Sequence, residues 1–266
     1  MKPIKSNNII EYLTEKWQRL DIRKGDTILI HADVKRTMFD LIKEGFKPRI
    51  KDIIDSFIFL IGEKGTLMMP NFNFDFSTFG SAFNINNTPS QMGVMSEYFR
   101  KIQGVKRTYH PVYSFSVFGH MQPDYLMHDV ESAYGLNTPF DVLRKNHGKI
   151  ILLDVNDQNS MTFYHHIEEM NNVHYRYHKQ FTGEYIDSNN NTKVKTYSIF
   201  VRNLKQGVKT HLYEAEQLLW DNGIYKGDKP HIDTGIKIAN ASEMYDFVTE
   251  NIIKKGLSEG YLYKID

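Results

Sequence analysis

Three short apolar runs, each placed just after a glycine, set the strongest limit on how this chain can fold. The runs are residues 27–30, 66–69 and 149–153, and they follow Gly25, Gly65 and Gly148 respectively. Nearly continuous apolar runs of this length are typical of strands that are buried on both faces of a sheet. The pattern therefore predicts a central sheet that is covered on both sides.

Helical patterns precede all three runs. Apolar stripes at helical spacing come before the first two, formed by Ile9, Leu13, Trp17 and Leu20 and then by Ile50, Ile53, Ile54, Phe57 and Ile61. Thr138-Pro139-Phe140-Asp141 is a helix start before the third, with a capping hydroxyl, a proline in the first turn and an acid at the third position. The segment 88–91 has the same signature and predicts a helix that runs to about Ile102. Alternating helices and buried strands indicate an α/β layered domain.

The chain changes character after about residue 174. Residues 181–186 and 194–201 have the composition of two strands, and the segment 187–191 between them is rich in the turn-forming residues Asp, Ser and Asn. This pattern predicts a hairpin, and a hairpin implies that the sheet is mixed.

Further helices are expected around 212–219 and from Asn240 onward. We find no linker, internal repeat or low-complexity tract. We therefore expect a single domain over residues 1–266, with a motif-bearing core at 25–170 and a hairpin and helical part at 175–266.

The composition excludes several classes of protein. The 266 residues carry 33 Lys and Arg against 32 Asp and Glu, and this balance lacks the basic excess of a nucleic-acid-binding protein. No cysteine is present, which excludes disulfides, zinc–thiolate sites and cysteine nucleophiles. No apolar run approaches the ~18 residues that a membrane span needs, and polar residues follow Lys2 and Lys5 where a secretory leader would be apolar. We therefore expect a cytoplasmic protein without nucleic-acid or membrane partners.

Several motifs of nucleotide and acyl chemistry are absent. No two glycines are spaced Gly-x-Gly, so the dinucleotide fingerprint is missing, and there is no Gly-x4-Gly-Lys phosphate loop. Gly-x-Ser-x-Gly is absent as well, which excludes the nucleophile elbow of the α/β-hydrolases. The Gly-rich loop through which the common acetyltransferase fold holds CoA is also missing.

The densest group of polar side chains runs from Thr162 to Glu169 and includes His165. On a helix, His165 shares a face with Glu168 at i,i+3 and with Glu169 at i,i+4. A carboxylate beside an imidazole can fix its tautomer and raise its basicity, which favours acid–base catalysis. Two alternatives stay open: a metal site, although the spacing matches no zinc-protease motif, and a surface helix with incidental histidines.

A second polar group extends from Arg107 to Ser114. It combines positive charge, hydroxyls and an imidazole around Pro111, and such a loop can hold a phosphate. The alternative is a solvated turn. Glu97 alone is less informative, because Glu97 and Lys101 form an i,i+4 pair of the kind found on exposed helix faces.

Six segments, taken together and in order, resemble the aminoglycoside 3-N-acetyltransferase family. They are Gly25–His31, Gly65–Phe72, Thr88–Glu97, Arg107–Ser114, Gly148–Leu153 and Thr162–Glu168. The third is close to the family's Thr-Pro-Ser-x-Met-Gly-x-Ile-x-Glu, the fourth matches Arg-Ser-x-His-Pro-x-x-Ser, and the last is similar to Thr-Phe-x-His-x-x-Glu. Each match is modest alone, but jointly they are highly specific over residues 25–170.

The resemblance implies an acyl-CoA-dependent N-acyltransferase. It also implies a mixed α/β fold, with helices flanking a central sheet, that differs from the common acetyltransferase fold. Carried over residue by residue, it implies that His165 is the catalytic base and that Glu97 is the carboxylate that orients it. Glu168 would lie beside the acceptor amine, and Asn71 and Phe72 would also contact substrate. Because the chain has no cysteine and no activated-serine motif, direct transfer between two bound substrates is expected.

The resemblance also places the co-substrate, acyl-CoA, against two loops. The residues implied are Arg107, His110 and Ser114 in one loop and Asp33, Lys35, Arg36 and Thr37 in the turn after the first strand. This chain departs from the family there, since it has His31-Ala32-Asp33-Val34 where His-Ser-Ser-Leu is usual, and Asn71 replaces a common threonine. The resemblance implies no metal, and a homodimer is consistent with it.

Charge favours one class of acceptor over another. Aminoglycosides are polycations that need surplus acid in their site, whereas basic pairs flank the matched loops here, at Lys35-Arg36 and Lys106-Arg107. We therefore expect an amino sugar linked to a nucleoside diphosphate, of the kind used for surface polysaccharide. An aminoglycoside acceptor is the alternative. A metal-dependent hydrolase using His165, Glu168 and His174, and a nucleotide-binding module without catalysis, are the remaining hypotheses.

Overall fold

The structure is a computed structural model that describes residues 8–229 and 235–265, so Lys2 and Lys5 lie outside it. The described strands are β1 (Thr27–Ala32), β2 (Thr66–Pro70), β3 (Phe83–Asn84), β4 (Lys106–Arg107), β5 (Phe115–Gly119), β6 (Lys149–Leu153), β7 (Arg176–Ile186), β8 (Thr192–Arg202), β9 (Val208–Thr210), β10 (Lys226–Gly227), β11 (Ile236–Asn240) and β12 (Tyr263–Ile265). The described α-helices are α1 (Ile9–Gln18), α2 (Lys35–Lys43), α3 (Ile50–Ile61), α4 (Asp75–Phe79), α5 (Gly93–Phe99), α6 (Gln122–Tyr125), α7 (Pro139–Lys145), α8 (Asp157–Ser160), α9 (Phe163–Met170), α10 (Tyr213–Asp221), α11 (Ala241–Val248) and α12 (Ser258–Tyr261). A 3₁₀ turn (Leu204–Gln206) and a π-helical turn (Thr249–Ile253) complete them.

The central sheet has seven strands in the order β10-β11-β6-β1-β2-β5-β4. β1 runs parallel to β2 and β6, whereas β5 and β11 are antiparallel to their neighbours. Every residue of β2 is buried, as are the first five residues of β1. Strands covered on both faces need apolar residues at every position, and this accounts for the continuous runs. The expected mixed α/β class is confirmed.

Helices cover both faces of this sheet. α1 and α3 pack together on one face, where Trp17 and Phe57 stack with ring centroids 5.2 Å apart. Alternate residues of β1 enter different cores, since side chains alternate along a strand. Ile28 and Ile30 belong to the core beneath α1 and α3, whereas Leu29 belongs to the second core, which contains residues of α7, α9 and α11. Burial of each such large apolar side chain contributes roughly 1.5–3 kcal/mol.

Two of the predicted helix starts are confirmed. Thr138 Oγ1 accepts a hydrogen bond from the backbone N–H of Asp141, and α7 begins at the following proline. Asn240 caps α11 by accepting from the backbone N–H groups of Ser242 and Glu243. Capping of this kind satisfies donors that have no partner within the helix.

Residues 88–91 do not begin a helix, contrary to the prediction. α5 starts only at Gly93 and ends before Ile102. Gln91 instead bonds to a neighbouring loop, since its backbone N–H donates to the carbonyl oxygen of Phe72. Residues 88–91 therefore connect two loops instead of beginning a helix.

The predicted hairpin is present but lies in a different sheet. β7 and β8 pair over eleven residues each, and the side chain of Asp187 accepts from the backbone N–H groups of Asn189 and Asn191 in the turn. These two strands form a separate three-stranded sheet with β3. The central sheet is mixed because of β5 and β11, so the reason we gave for its mixed character is corrected.

The carboxyl ends of β1, β2 and β6 meet at one edge of the central sheet. The chain proceeds from β1 to β2 on one side and later reaches β6 on the other, so the strand order reverses between β1 and β6. Ligands of open α/β sheets bind outside the carboxyl ends of the strands at such a reversal. None of the described helices is long and apolar enough to cross a membrane.

Candidate active site

α9 holds the ring of His165 against a carboxylate. His165 Nδ1 lies 2.9 Å from Oε2 of Glu168, about one helical turn further on. When the Nδ1 proton is donated to this carboxylate, Nε2 is the ring nitrogen that can accept a proton. The side chain of His165 is 20% exposed, whereas that of Glu168 is buried. The imidazole is therefore the partner that a substrate can reach.

Three side chains hold the Glu168 carboxylate. Besides His165, Tyr175 donates its hydroxyl to Oε1 at 2.9 Å, and Arg176 Nε lies 2.8 Å from Oε2. Burial opposes ionisation of Glu168, but the charge of Arg176 and the hydrogen bonds outweigh it and lower the pKa of this carboxyl. The carboxylate therefore stays charged and fixes the orientation of the His165 ring.

Burial also determines the protonation of His165. It lowers the pKa of the imidazole, and the charge of Arg176 lowers that pKa further, although the hydrogen bond to Glu168 acts in the opposite direction. The neutral form is the one that can take a proton from an amine. The site thus holds His165 in the form that a general base requires.

We expect His165 to titrate below the usual histidine range. Because its pKa is lowered, the imidazole should stay neutral as the pH falls through ~6.5 and should gain its proton only at lower pH. An NMR titration of the histidine ring protons measures this, with the His165→Asn variant identifying the resonance. A midpoint at or above ~6.5 would show that the Glu168 carboxylate outweighs burial, and it would contradict the expectation.

His165 opens into a cavity of about 240 Å³. Polar residues of the α8 region form one wall, among them Asn159 and Ser160, and Arg202 and Thr210 belong to the C-terminal part. Gln158 joins the two walls, since its side chain donates to the carbonyl oxygen of Thr210. The cavity therefore requires both the motif-bearing core and the C-terminal part.

A buried group of charges lies beside this cavity. Lys237, on β11, donates to Oδ1 of Asp157 at 2.7 Å and also binds Glu216. Tyr164 and Tyr225 donate their hydroxyls to Oδ2 of Asp157 at 2.9 and 2.7 Å. The side chain of Lys237 is 1% exposed and that of Asp157 not at all. These bonds join β11 and α10 to the start of α8 and so position one wall of the cavity.

Glu97 does not contact His165. Its carboxylate lies 2.6 Å from Arg100 Nε and 2.7 Å from Lys101 Nζ, and it accepts from a loop N–H at 2.8 Å. The hydrogen bond from Arg100 lowers the pKa of Glu97 to about 2. The prediction that Glu97 orients the base is therefore wrong, and Glu168 has that place. Because Glu168 lies buried behind the imidazole, its predicted contact with the acceptor is corrected too.

The side chains of the second loop are bonded within the protein. Arg107 is buried and donates to Ser114 Oγ and to the carbonyl oxygens of Asn71 and Thr88. Both ring nitrogens of His110 bond to backbone groups, and burial lowers its pKa to about 4. His110 and Ser114 therefore hold the loop in shape, and their predicted contact with acyl-CoA is corrected. Arg107 still lines a cavity of about 360 Å³.

The turn from Asp33 to Thr37 lies at the strand reversal. Thr37 donates its backbone N–H and its hydroxyl to the carboxylate of Asp154, which follows β6, at 2.9 and 2.5 Å. Lys35 and Arg36 are exposed in the first turn of α2, and each lies near one surface carboxylate. Exposed cations at a helix N-terminus add to the positive end of the helix dipole and favour anions.

Asn71 and Phe72 lie beneath the site rather than at its surface. Asn71 is fully buried, and Phe72 is 2% exposed. The Phe72 ring packs against Tyr113, Tyr113 packs against Tyr134, and the Tyr134 ring centroid is 5.2 Å from that of His165. The predicted contact of Phe72 with substrate is therefore corrected, since Phe72 supports His165 through two intervening rings, whereas Asn71 lines the cavity of about 360 Å³ that also contains Arg107.

The sequence analysis missed several residues of the site. These are Tyr175 and Arg176, at the start of the C-terminal part, and Arg202, at the end of β8 within it. No family motif was recognised there, and no local pattern identifies them. Lys237 could have been recognised from the sequence, because it is a charged residue within the otherwise apolar strand Ile236–Asn240. A charged residue inside a strand of this kind is almost never buried without a partner.

Within residues 8–229 and 235–265, no group of three or more His, Asp or Glu side chains could hold a metal ion. His174 packs its ring edge-on against Tyr175, with centroids 5.5 Å apart, and has no contact with His165 or Glu168 in the described part of the chain. The metal-dependent hydrolase hypothesis therefore lacks its ligand set.

Comparison with known proteins identifies the family. The profile of the aminoglycoside 3-N-acetyltransferase family matches residues 29–252. The SPbeta prophage-derived aminoglycoside N(3')-acetyltransferase-like protein YokD of Bacillus subtilis is 29% identical over 175 residues, which span 58% of this chain and 62% of YokD.

Solved structures share the fold at low sequence identity. The crystal structure of YokD superposes with a TM-score of 0.73 at 22% identity, covering 92% of this chain and 99% of that chain. The binary complex of AAC-IIIb with CoASH gives a TM-score of 0.73 at 17% identity, covering 92% and 96%. AAC-VIa bound to sisomicin gives 0.70 at 16% identity, covering 92% and 97%. The match of the family profile and the agreement of the folds show that the chain belongs to the aminoglycoside 3-N-acetyltransferase family.

Proposed function

We propose that this chain transfers an acetyl group from acetyl-CoA to the amine of an amino sugar. The observation that carries the proposal is the pairing of His165 Nδ1 with the buried carboxylate of Glu168, which leaves Nε2 available beside a cavity. Membership of the family supports N-acetyl transfer, and the AAC-IIIb complex with CoASH supports acyl-CoA as the donor.

His165 acts in this scheme as a general base and then as a general acid. Its Nε2 takes a proton from the amine as the nitrogen attacks the thioester carbonyl carbon and the N–C bond forms. The C–S bond then breaks, and the imidazolium returns the proton to the departing CoA thiolate. Glu168 holds the ring in the tautomer that this needs and stabilises the imidazolium while it carries the proton.

The donor is proposed to bind at the turn from Asp33 to Thr37. This turn lies at the strand reversal between β1 and β6, where open α/β sheets bind their ligands. Lys35 and Arg36 supply positive charge there, and Arg36 and Thr37 line a cavity of about 310 Å³. Phosphate groups are the part of acyl-CoA that this charge suits.

The comparisons support an aminoglycoside as the acceptor. One of the similar structures is bound to sisomicin and another is in complex with apramycin. Both were solved with proteins that share the fold of this chain but only 16% of its sequence.

A second candidate acceptor is an amino sugar linked to a nucleoside diphosphate. The observation that favours it is the charge at the cavity: Arg202 lines it, whereas the nearby carboxylates of Asp157 and Glu168 are already bound to Lys237 and Arg176. A polycation would need free carboxylates at this place.

Thiol release from acetyl-CoA tests the proposal. We expect CoA to be released in step with an N-acetylated product when aminoglycosides, neutral amino sugars and nucleoside-diphosphate amino sugars are offered in parallel. Prior chelation should leave the rate unchanged, because the proposed chemistry needs no metal. The ratio of kcat/KM values identifies the acceptor class. If none of these amines caused release of CoA, the proposal would be overturned.

A cytoplasmic location and a homodimeric assembly remain predictions from the sequence. Fractionation of cells that express the protein measures the first, and light scattering of the purified protein measures the second.

A further inference from the structure

Arg202 is a cation without a carboxylate partner at the cavity that contains His165. It is the last residue of β8 and pairs in register with Arg176, the first residue of β7. Arg176 binds the Glu168 carboxylate and the carbonyl oxygen of Phe200. Arg202, by contrast, has no ion pair with any residue in the part of the chain that the structure describes.

This arrangement is electrostatically unfavourable on its own. Like charges directly opposite each other on paired strands destabilise a sheet, and only one of these two guanidinium groups is neutralised. The charge of Arg202 also acts on the site, since it adds to the lowering of the His165 pKa that burial causes and opposes the rise that burial gives the pKa of Tyr113. An anion in the cavity would offset the repulsion, because it would give Arg202 the partner that Arg176 already has.

We propose that Arg202 binds an anionic group of the acceptor, a phosphate or a carboxylate, while His165 takes the proton from the acceptor amine. This inference rests on the proposed function and narrows the acceptor to amino sugars that carry negative charge. A guanidinium suits such groups because it can donate two parallel hydrogen bonds to one phosphate or carboxylate.

The position of the cavity assigns the anion to the acceptor rather than to the donor. The cavity at His165 and the one at the turn after β1 have no lining residue in common. The cavity at the turn after β1 contains the cations Lys16, Arg36 and Lys229 together with the carboxylates of Asp40, Asp154 and Asp228, and it is the site proposed above for acyl-CoA. The walls at His165 also include Asn159, Ser160 and Thr162, whose polar groups suit sugar hydroxyls.

Acceptors that share the glucosamine ring but differ in charge test this inference. Glucosamine is compared with glucosamine 6-phosphate and with UDP-glucosamine, and kanamycin serves as the polycation. In the unaltered protein, the phosphate-bearing sugars should have kcat/KM values at least ~10-fold above that of glucosamine, as expected for charge-assisted hydrogen bonds. The variants are Arg202→Gln, which removes the charge, and Arg202→Lys, which keeps it without the planar fork.

Arg202→Gln should lower kcat/KM for the phosphate-bearing sugars by ~10- to 100-fold more than for glucosamine, and Arg202→Lys should lower it less. Lys205→Gln is the matched control, because it removes the same charge from an exposed position three residues away. An equal loss with every acceptor, or an unchanged preference, would overturn the inference. A rise confined to the KM of acetyl-CoA would instead assign Arg202 to the donor. Failure of every amine to release CoA would contradict the proposed function itself.

Discussion

Replacing His165 by asparagine is expected to lower kcat by on the order of 10²–10⁴, because it removes the imidazole that reaches the cavity and can accept a proton at neutral pH. Asparagine keeps a polar side chain beside Glu168, so the buried carboxylate retains a hydrogen-bond partner. CoA affinity should change little, since the proposed donor site at Lys35, Arg36 and Thr37 is separate. Steady-state kinetics and a CoA-binding titration measure the two quantities.

His166→Asn is the matched control for this variant. His166 is fully buried, its Nδ1 bonds to the carbonyl oxygen of Tyr134, and its ring packs among aromatic side chains. It does not line the cavity. We therefore expect His166→Asn to lower the melting temperature and to reduce kcat much less than His165→Asn does. An equal loss of kcat at the two positions would contradict the assignment of His165 as the base.

Replacing Lys237 by methionine should cause a large loss of folding stability, much larger than the loss caused by replacing an exposed lysine. The change leaves the buried carboxylate of Asp157 without its cation and takes the same partner from Glu216. Removing one member of a buried ion pair typically costs about 3–5 kcal/mol, because the remaining charge stays desolvated and uncompensated. Urea denaturation of the purified variant measures the free energy of unfolding.

Lys226→Met provides the comparison, because Lys226 lies on the neighbouring strand β10, is exposed, and is 3.7 Å from Asp21. Exposed pairs of this kind contribute about 0–1 kcal/mol. A similar small loss for Lys237→Met would show that Asp157 becomes protonated without penalty. The double variant Lys237→Met with Asp157→Asn should recover part of the lost stability, because it removes the uncompensated charge.

The sequence alone was sufficient for β1, β2 and β6 and for the helical layers that cover them, because the relevant signals are local, whereas it did not predict β4, β5, β10 and β11 of the same sheet. Continuous apolar runs follow from burial on both faces, and two of the three glycines before them, Gly65 and Gly148, follow from close packing at the helix–strand turns, whereas Gly25 has a positive φ of 91°. A Cβ at Gly148 would lie 2.2 Å from Leu143 Cδ1, and one at Gly65 would lie 2.5 Å from Ile61 Cβ. Helix periodicity likewise predicted that Glu168 faces His165, which the 2.9 Å contact confirms.

The tertiary structure decided which charged groups meet. The family resemblance implied that Glu97 orients the imidazole, but Arg100 and Lys101 bind that carboxylate. Arg176 and Tyr175 instead hold Glu168 beside His165. Lys237 and Asp157 are 80 residues apart in the chain and become a pair only when β11 docks beside β6. The physical reason is that periodicity records which face of an element is buried. The partner of a buried charge depends instead on which distant elements exclude water around it, and no local pattern records that.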